Sequence, residues 1–324
     1  MIESNKQNKS ITVVIAVKQF NDNLKRCIEN CLEQDYPNFD ILVFPDEDFQ
    51  YNNDKVKIIP TGNKTPGVKR NLALVHSNAD IFAFIDDDAY PEENWLKSAV
   101  INFADENIAA VGGPSITPEE DSLLQKTSGL IYESNLVSGP YVYRYLPTKR
   151  QFVDDYPSCN FIVRRSVFAQ INGFDEKYWP GEDTVFCLNL TKKLNKKIVY
   201  DPKVLVFHHR RPVFKSHLRQ IANYALHRGF FVKKFPQTSL RVGYFVPSVF
   251  LIFLVLGPLV NVNLYIFTLM LYLLLVFSNV FLVFKHSKTS QYMLIPLMFF
   301  GIIRTHVSYG FYFLKGLTVK KLQQ

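Results

Sequence analysis

Phe84-Ile85-Asp86-Asp87-Asp88-Ala89-Tyr90-Pro91 is the stretch that decides the fold. Its three carboxylates follow directly on Ile81-Phe82-Ala83-Phe84-Ile85, a short run that is β-branched, aromatic and apolar on both faces. Such a run reads as a strand buried in a parallel sheet. Its end is then the carboxyl end of a strand in an open α/β sheet, where ligands sit. Three adjacent aspartates repel one another at such a point. A hard divalent cation, Mg2+ or Mn2+, removes that cost through oxygen ligands and commonly arrives with a diphosphate. The plainer reading is a solvated acidic turn that caps a helix opening at Pro91-Glu92-Glu93. The buried strand before the triplet and the acidic and histidine partners further along favour the cation.

The chain has 324 residues, enough for one large domain and a smaller unit. Its hydrophobic content of 48% is uneven: the first two-thirds are mixed and charged, and from Val242 onward the chain is almost purely apolar. The formal net charge is +8, with much of the excess between Lys192 and Arg241. A basic belt beside an apolar region predicts contact with anionic lipid headgroups. No nucleic-acid-binding module accompanies the charge, so nucleic acid is not an expected partner. Cys27, Cys31, Cys159 and Cys187 have neither a disulfide framework nor zinc-ligand spacing, and read as reduced thiols. Met1 to Ser10 is polar, lacks an apolar run and is not expected to be a signal peptide.

Taken in order, Ile11 to Val17, Phe39 to Phe44 and Val56 to Ile59 read as strands. Between the first two, Asn21 caps a helix running to about Gln34. The second strand ends at Pro45-Asp46-Glu47-Asp48, and Thr65-Pro66-Gly67 opens a helix through about His76 that carries Lys69, Arg70 and Asn71. Alternating strands and helices predict a doubly wound, mostly parallel sheet with Asp46 and Asp86–Asp88 on one rim. A helix near Glu92–Ala104 and a strand over Ile108–Gly113 follow. Residues 114–155 hold an amphipathic stretch and the run Tyr141-Val142-Tyr143-Arg144-Tyr145, read either as a substrate-covering segment or as a packed insertion. Asn160–Val163 is a strand, and Arg165–Ile171 a short helix stopped by Asn172-Gly173. Trp179-Pro180-Gly181-Glu182-Asp183-Thr184 opens another helix, with two acids where the helix dipole favours anions. Taken alone, ordinary helix-start acidity is the commoner reading of that pair. Ile198–Tyr200 and Val204–Phe207 are short strands that end at His208-His209-Arg210-Arg211.

An acid at the end of the second strand, Gly67-x-x-Arg70-Asn71, the triplet Asp86–Asp88, Glu182-Asp183 and a histidine occur in that order. The arrangement resembles the family 2 inverting glycosyltransferases of the GT-A fold, which use nucleotide-diphosphate sugars, and the resemblance covers roughly residues 10–235. It implies that Asp46 holds the nucleotide base and that Arg70 lies near the diphosphate. Asp86 would face the ribose with Asp87 supporting, while Asp88 and His208, or His209 as second choice, would hold Mg2+ or Mn2+. Asp183 would be the catalytic base and Glu182 its acceptor-contacting neighbour. Two departures affect the nucleotide-base contact. The first strand reads Ile-Ala-Val where the family usually has Ile-Pro-Val, and the second ends Phe-Pro-Asp-Glu rather than Val-Asp-Asp-Gly. The Gln-x-x-Arg-Trp motif of processive polysaccharide synthases is absent, with Gln220-Ile221-Ala222-Asn223-Tyr224 in its place. Addition of one or few sugars is therefore expected, with a processive synthase and a non-catalytic membrane scaffold as the alternatives.

Pro212 to Phe235 mixes basic and aromatic residues in the pattern of an interfacial helix, although a basic helix packed on protein fits it too. Val242–Val260 and Leu264–Phe284 carry no charge and have the length of a membrane span, whereas Met293–Leu314 carries Arg304 and His306. The positive-inside rule places Lys233, Lys234, Arg241 and Lys285 toward the cytoplasm, while Lys315, Lys320 and Lys321 conflict with a full third crossing. The expected organisation is a polar tail over 1–9, a GT-A domain over 10–211, a basic interfacial helix over 212–241 and a membrane domain over 242–324 with two or three apolar helices. The expected enzyme is anchored in the cell (inner) membrane and faces the cytoplasm. It would serve cell-envelope polysaccharide synthesis, with membrane lipids and a lipid-linked or saccharide acceptor as partners.

Overall fold

The computed structural model describes residues 9–287 and 289–322, so the expected polar tail, Lys9 apart, and Lys288 lie outside the described residues. The chain forms two compact units, one of residues 9–116 with 147–208 and the other of 117–146 with 209–322. Residues 117–146 thus fold with the C-terminal part, where the sequence pattern placed them inside an uninterrupted domain over 10–211. The reason is local: their helix Leu123–Glu133 buries Leu130 and Ile131 among Val213, Val276, Val280, Met298 and Ile302.

The strands of the first unit are β1 (Ile11–Ala16), β2 (Phe39–Phe44), β3 (Val56–Ile58), β4 (Ile81–Asp86), β5 (Ala89–Pro91), β6 (Ile108–Gly112), β7 (Ser115–Ile116), β8 (Gln151–Val153), β9 (Asn160–Arg164), β10 (Lys197–Tyr200) and β11 (Val206–His208). Eight of them form one sheet in the order β3-β2-β1-β4-β9-β6-β10-β8. β1 to β4 run parallel, as their apolar, two-sided burial requires. β9 runs antiparallel to both its neighbours, and β8 antiparallel to β10, so the sheet is mixed but mostly parallel. In register, Ala16 faces Phe44 on one side and Asp86 on the other, which brings the ends of β1, β2 and β4 to one rim.

The remaining strands form a small second sheet in the order β5-β11-β7. Where the sequence suggested a helix from about Glu92, the chain first makes β5, and the helix spans Trp95–Asn102. β11 pairs antiparallel with β5 so that His208 faces Ala89, the residue after the aspartate triplet. One buried side chain secures this corner. The amide of Asn160, wholly buried, donates to the carbonyls of Gly113 and Val204, both at 2.8 Å, and accepts from Trp95 Nε1 at 2.9 Å.

An aromatic cluster ties the triplet's strand to the helix Glu182–Leu188. Phe84 packs on Phe168 and Phe174 at ring separations of 5.2 Å, and both pack on Phe186 at 5.3 and 5.2 Å. Each ring buried here contributes roughly 2–3 kcal/mol by area, with about 0.5–1.5 kcal/mol more from each favourable pair.

In the second unit, Val242–Val260, Val262–His286 and Leu294–Thr318 are long and apolar enough to cross a membrane. The helix Lys215–Lys234 packs along the last of these, and Gly229 and Gly316 let the two backbones meet. His217 lies between Ser128 Oγ at 2.8 Å and Thr305 Oγ1 at 2.9 Å, and burial pushes its imidazole down to about 4, so it is neutral. The ionisable residues of Leu294–Thr318 have protein partners. Arg304 lies over the Phe214 ring at 4.9 Å. His306 Nε2 donates to the Leu136 carbonyl at 2.9 Å, which leaves Nδ1 to accept from Tyr272 OH at 3.0 Å. The four cysteines are free thiols, as expected.

Replacing Asn160 by Ala strips two buried carbonyls and an indole N–H of their partner at once. A loss of about 2–4 kcal/mol in unfolding free energy is expected, read as the shift in denaturant midpoint of the detergent-solubilised chain. A change below about 0.5 kcal/mol would show that the corner holds without this amide.

Candidate active site

The rim residues come from four elements. Asp86 ends β4, with Asp87 and Asp88 in the turn before β5. His208 ends β11. Lys69 and Arg70 lie on the helix Pro66–Asn71, and Glu182 and Asp183 begin the helix Glu182–Leu188. Pro66 at the start of its helix and Gly181 (φ 122°) before the other set the two entry angles.

Arg70 is the centre of this arrangement. Its Nη2 donates to Asp86 Oδ1 at 2.7 Å and its Nη1 to Glu182 Oε1 at 3.1 Å. The guanidinium side chain is 5% exposed, so this is a buried bridge and not a surface pair. It requires the helix Pro66–Asn71 to approach Glu182 closely. A β-carbon at Gly67 would stand 3.3 Å from Glu182 Cγ, tighter than ordinary contact, so a side chain there would require Glu182 to shift by a few tenths of an ångström. Burial pushes the guanidinium pKa down, but Asp86, Glu182 and Asp183 outweigh that and hold Arg70 cationic. Arg70 therefore links the strand-end triplet, through Asp86, to the Glu182-Asp183 pair.

Asp86, Asp88 and His208 each offer a ligand atom within 4.8 Å of the others. Two carboxylate oxygens and one imidazole nitrogen are a donor set that suits Mn2+ and tolerates Mg2+. His208 Nε2 meets Asp88 Oδ1 at 3.0 Å; burial would lower the imidazole pKa, but the Asp88 carboxylate raises it to about 10. The pairing follows from the β5–β11 register, and it brings His208, not His209, to the triplet. His209 Nδ1 is instead 2.5 Å from Asp121 Oδ1, both residues belonging to the second unit. Asp86, expected from the sequence at the ribose, joins the possible ligand set through its position beside Asp88 and also accepts from Arg70. Asp87 lies outside that set, and burial together with Asp88 and Asp86 pushes its carboxyl up to about 6.

Asp46 pairs with Lys69, whose ammonium also donates to the Val17 carbonyl at 2.6 Å. The Lys69 pairing was not anticipated. Two consecutive cations at a helix start beside a strand-end acid were its only trace in the sequence. Asp183 accepts from the Thr184 N–H at 2.7 Å, and Thr184 Oγ1 donates to the buried Asp155 at 3.1 Å. Asp155 was also missed, since nothing in its loop distinguishes it from a surface acid. Glu182 is buried, and desolvation and then Asp183 push its carboxyl up to about 7 against the pull of Arg70.

The sequence profile of glycosyl transferase family 2 matches residues 12–171. The chain is 24% identical over 331 residues to the dolichyl N-acetyl-alpha-D-glucosaminyl phosphate 3-beta-D-2,3-diacetamido-2,3-dideoxy-beta-D-glucuronosyltransferase of Methanococcus voltae, covering 94% of this chain and 97% of that protein. It is 29% identical over 164 residues to the pre-mycofactocin glycosyltransferase of Mycobacterium tuberculosis, covering 50% of this chain and 34% of that protein. Among solved structures, the mannosyltransferase PcManGT of Pyrobaculum calidifontis, in complex with GDP-Man and Mn2+, superposes with a TM-score of 0.56 at 15% identity, covering 97% of this chain and 88% of that one. The shared architecture is the GT-A fold.

Glu182 takes up a proton more readily in the folded than in the unfolded chain, where a carboxyl titrates near 4.3. Its stabilising contribution is complete below that value and is lost as pH rises through about 7. The thermal midpoint of the wild type is therefore expected to fall more steeply than that of Glu182→Gln between about pH 5 and about pH 8. Equal slopes would mean that Glu182 is ionised throughout.

Proposed function

We propose that this chain, which belongs to glycosyl transferase family 2 through residues 12–171, transfers a sugar from a nucleotide-diphosphate donor to a lipid-phosphate-linked acceptor, with inversion and metal dependence. The observation that carries the reading is the Arg70 bridge from Asp86 to Glu182, which joins one of the three candidate ligand residues to the helix start that carries Asp183. The Methanococcus voltae relative, similar over nearly its whole length, is named for an acceptor that is a glycan on dolichyl phosphate, and this supports an acceptor of that class. The solved mannosyltransferase holds GDP-Man and Mn2+, which supports a nucleotide-sugar donor and a divalent ion. The three apolar helices would keep the enzyme where such acceptors are concentrated. The active site would face the cytoplasm, where nucleotide sugars are made.

In this reading Asp183 accepts the proton of the acceptor hydroxyl as its oxygen attacks the anomeric carbon. The bond from that carbon to the donor's phosphate oxygen breaks, and its electron pair leaves with the diphosphate. One attack opposite the leaving group inverts the centre. Asp86, Asp88 and His208 would hold the divalent ion, which when bound offsets charge on the diphosphate. Arg70 supplies fixed positive charge at the same rim, and Glu182, held by that guanidinium, orients the acceptor beside the base. Asp46, with Lys69 against it, and Asp87 border the nucleotide side.

Asp183→Asn is expected to keep the fold and nucleotide-sugar binding while lowering kcat by roughly 10²–10⁴-fold, since general-base catalysis contributes on that scale. Asp88→Asn is expected instead to remove the Mn2+-dependent thermal shift given by a panel of nucleotide sugars. Full turnover in Asp183→Asn would exclude it as the base. The absence of any metal-dependent shift in the wild type would end the donor-site assignment.

A further inference from the structure

The helix Leu294–Thr318 is as long as Val262–His286, yet its surroundings differ. In the most apolar window of each candidate span, 33% of Leu294–Thr318 is buried, against 11% for each of the other two. The exposed surface of Val242–Val260 and Val262–His286 is mostly aliphatic and aromatic, as with Val249, Leu256, Phe267 and Leu274, and its exposed cations, Lys285 and His286, stand at the helix end. On Leu294–Thr318 one exposed stripe reads Pro296, Phe300, Arg304, Phe311, Lys315, Thr318, at spacings that keep to a single helix face and mix apolar with cationic groups. That is an interfacial face and not a lipid-facing one.

Its alignment gives the same result. Thr305 meets His217, Gly316 meets Gly229, and the Val319 carbonyl accepts from Lys233 Nζ at 2.7 Å. The C-terminal half of Leu294–Thr318 therefore runs side by side with Lys215–Lys234, in the same direction, over about four turns. Lys215, Arg219, Arg228, Lys233 and Lys234 occur along that partner, so it cannot enter hydrocarbon at the cost of a few kcal/mol per cation. The helix aligned with it shares its depth.

The ends of Leu294–Thr318 are equally telling. Phe313 packs on Phe245 at 5.0 Å, near the start of Val242–Val260. Leu294 clusters with Val280, and neighbouring Tyr292 packs on Phe284 at 5.6 Å, near the end of Val262–His286. Both ends thus meet the same open end of the hairpin made by those two helices. The hairpin's turn at Asn261 is closed by its own residues, Phe253 against Tyr265 at 5.3 Å. A third crossing would carry one end to that turn.

We propose that only Val242–Val260 and Val262–His286 cross the membrane, and that Leu294–Thr318 lies with Lys215–Lys234 in the lipid headgroup layer on the side of Arg241. The charge distribution fits without exception. After Asp201 the chain holds 15 Lys and Arg and no Asp or Glu, and none of those cations lies in the turn Gly257-Pro258-Leu259-Val260-Asn261-Val262-Asn263. Two crossings keep the basic ends on one side, whereas a third would carry Lys315, Lys320 and Lys321 across and leave Arg304 near mid-bilayer. The partner surface is one leaflet's headgroups, whose phosphates meet Arg304, Lys315 and the exposed cations of Lys215–Lys234. The proposal rests on the membrane-bound part of the reading above and is independent of sugar transfer.

The full chain, with one epitope inserted after Asn261 and another after Gln324, tests it in sealed membrane vesicles of defined orientation. Protease added outside is expected to remove one epitope completely and spare the other, with the pattern reversed in vesicles of opposite orientation. In parallel, Arg304→Cys and Lys315→Cys are expected to react with a membrane-impermeant maleimide, above the wild type's own labelling, from the side of the C-terminal epitope. Loss of both epitopes from the same side, or Arg304→Cys that reacts only after detergent, would overturn the proposal. Release of the chain by alkaline carbonate would overturn it as well, without touching the catalytic reading, which Asp183→Asn tests separately.

Discussion

Five carboxylates on two separate segments, Asp86–Asp88 and Glu182-Asp183, cannot lie close together unless something offsets their repulsion, and Arg70 is the group between Asp86 and Glu182. It is nearly inaccessible and spans from a strand end to a helix start. Removing one partner of such a bridge leaves an uncompensated buried charge, a cost of about 3–5 kcal/mol. The bridge therefore couples stability to site geometry. Gly67 permits the approach, and the aromatic cluster of Phe84, Phe168, Phe174 and Phe186 fixes the two acidic elements beneath it. Cation, glycine and aromatic floor are three answers to one electrostatic problem.

The parts of the molecule that were legible in the sequence are those set by local pattern. β1, β2 and β4 are runs of buried apolar residues, and their limits follow the sequence to within a residue. The helix Arg165–Ile171 stops where Asn172 takes a left-handed conformation at φ 63°. Of the small sheet only β11 was legible, as a short strand over Val204–Phe207, because β5 and β7 are two or three residues long, too short for any period to show. Yet that sheet delivers His208 to Asp88 across 120 residues of chain. The antiparallel insertion of β9 was equally hidden, since a strand buried on both faces carries no record of its direction.

For the site, residue types were legible and partners were not. The family resemblance named Asp88 and His208 together, and the geometry adds Asp86 to the possible ligands and leaves Asp87 out. Asp46 looked like a free strand-end acid until Lys69 was seen against it. Periodicity cannot reveal such pairings, because they join helix starts and strand ends whose proximity is a property of the whole sheet. The same holds for Arg304 and His306. They read as costly groups within an apolar segment, and they are accounted for by a ring and a carbonyl distant in sequence.

Charge divides the chain as sharply as the fold does. The unit with the sheet holds all but four of the 29 carboxylates, and the other unit holds 16 of the 37 lysines and arginines. Acids are needed where a cation and a nucleophile's proton are to be handled, and they are a liability beside anionic headgroups. Asp201 is the last carboxylate in the chain, seven residues before the histidine that completes the candidate ligand set. Every residue after that point is apolar, neutral polar or cationic. A chain ordered in this way can change its donor-site acids without placing an anion against lipid, and its anchoring helices without altering the field around Arg70. The two tasks are separated along the sequence because the electrostatic requirements of one are unfavourable for the other.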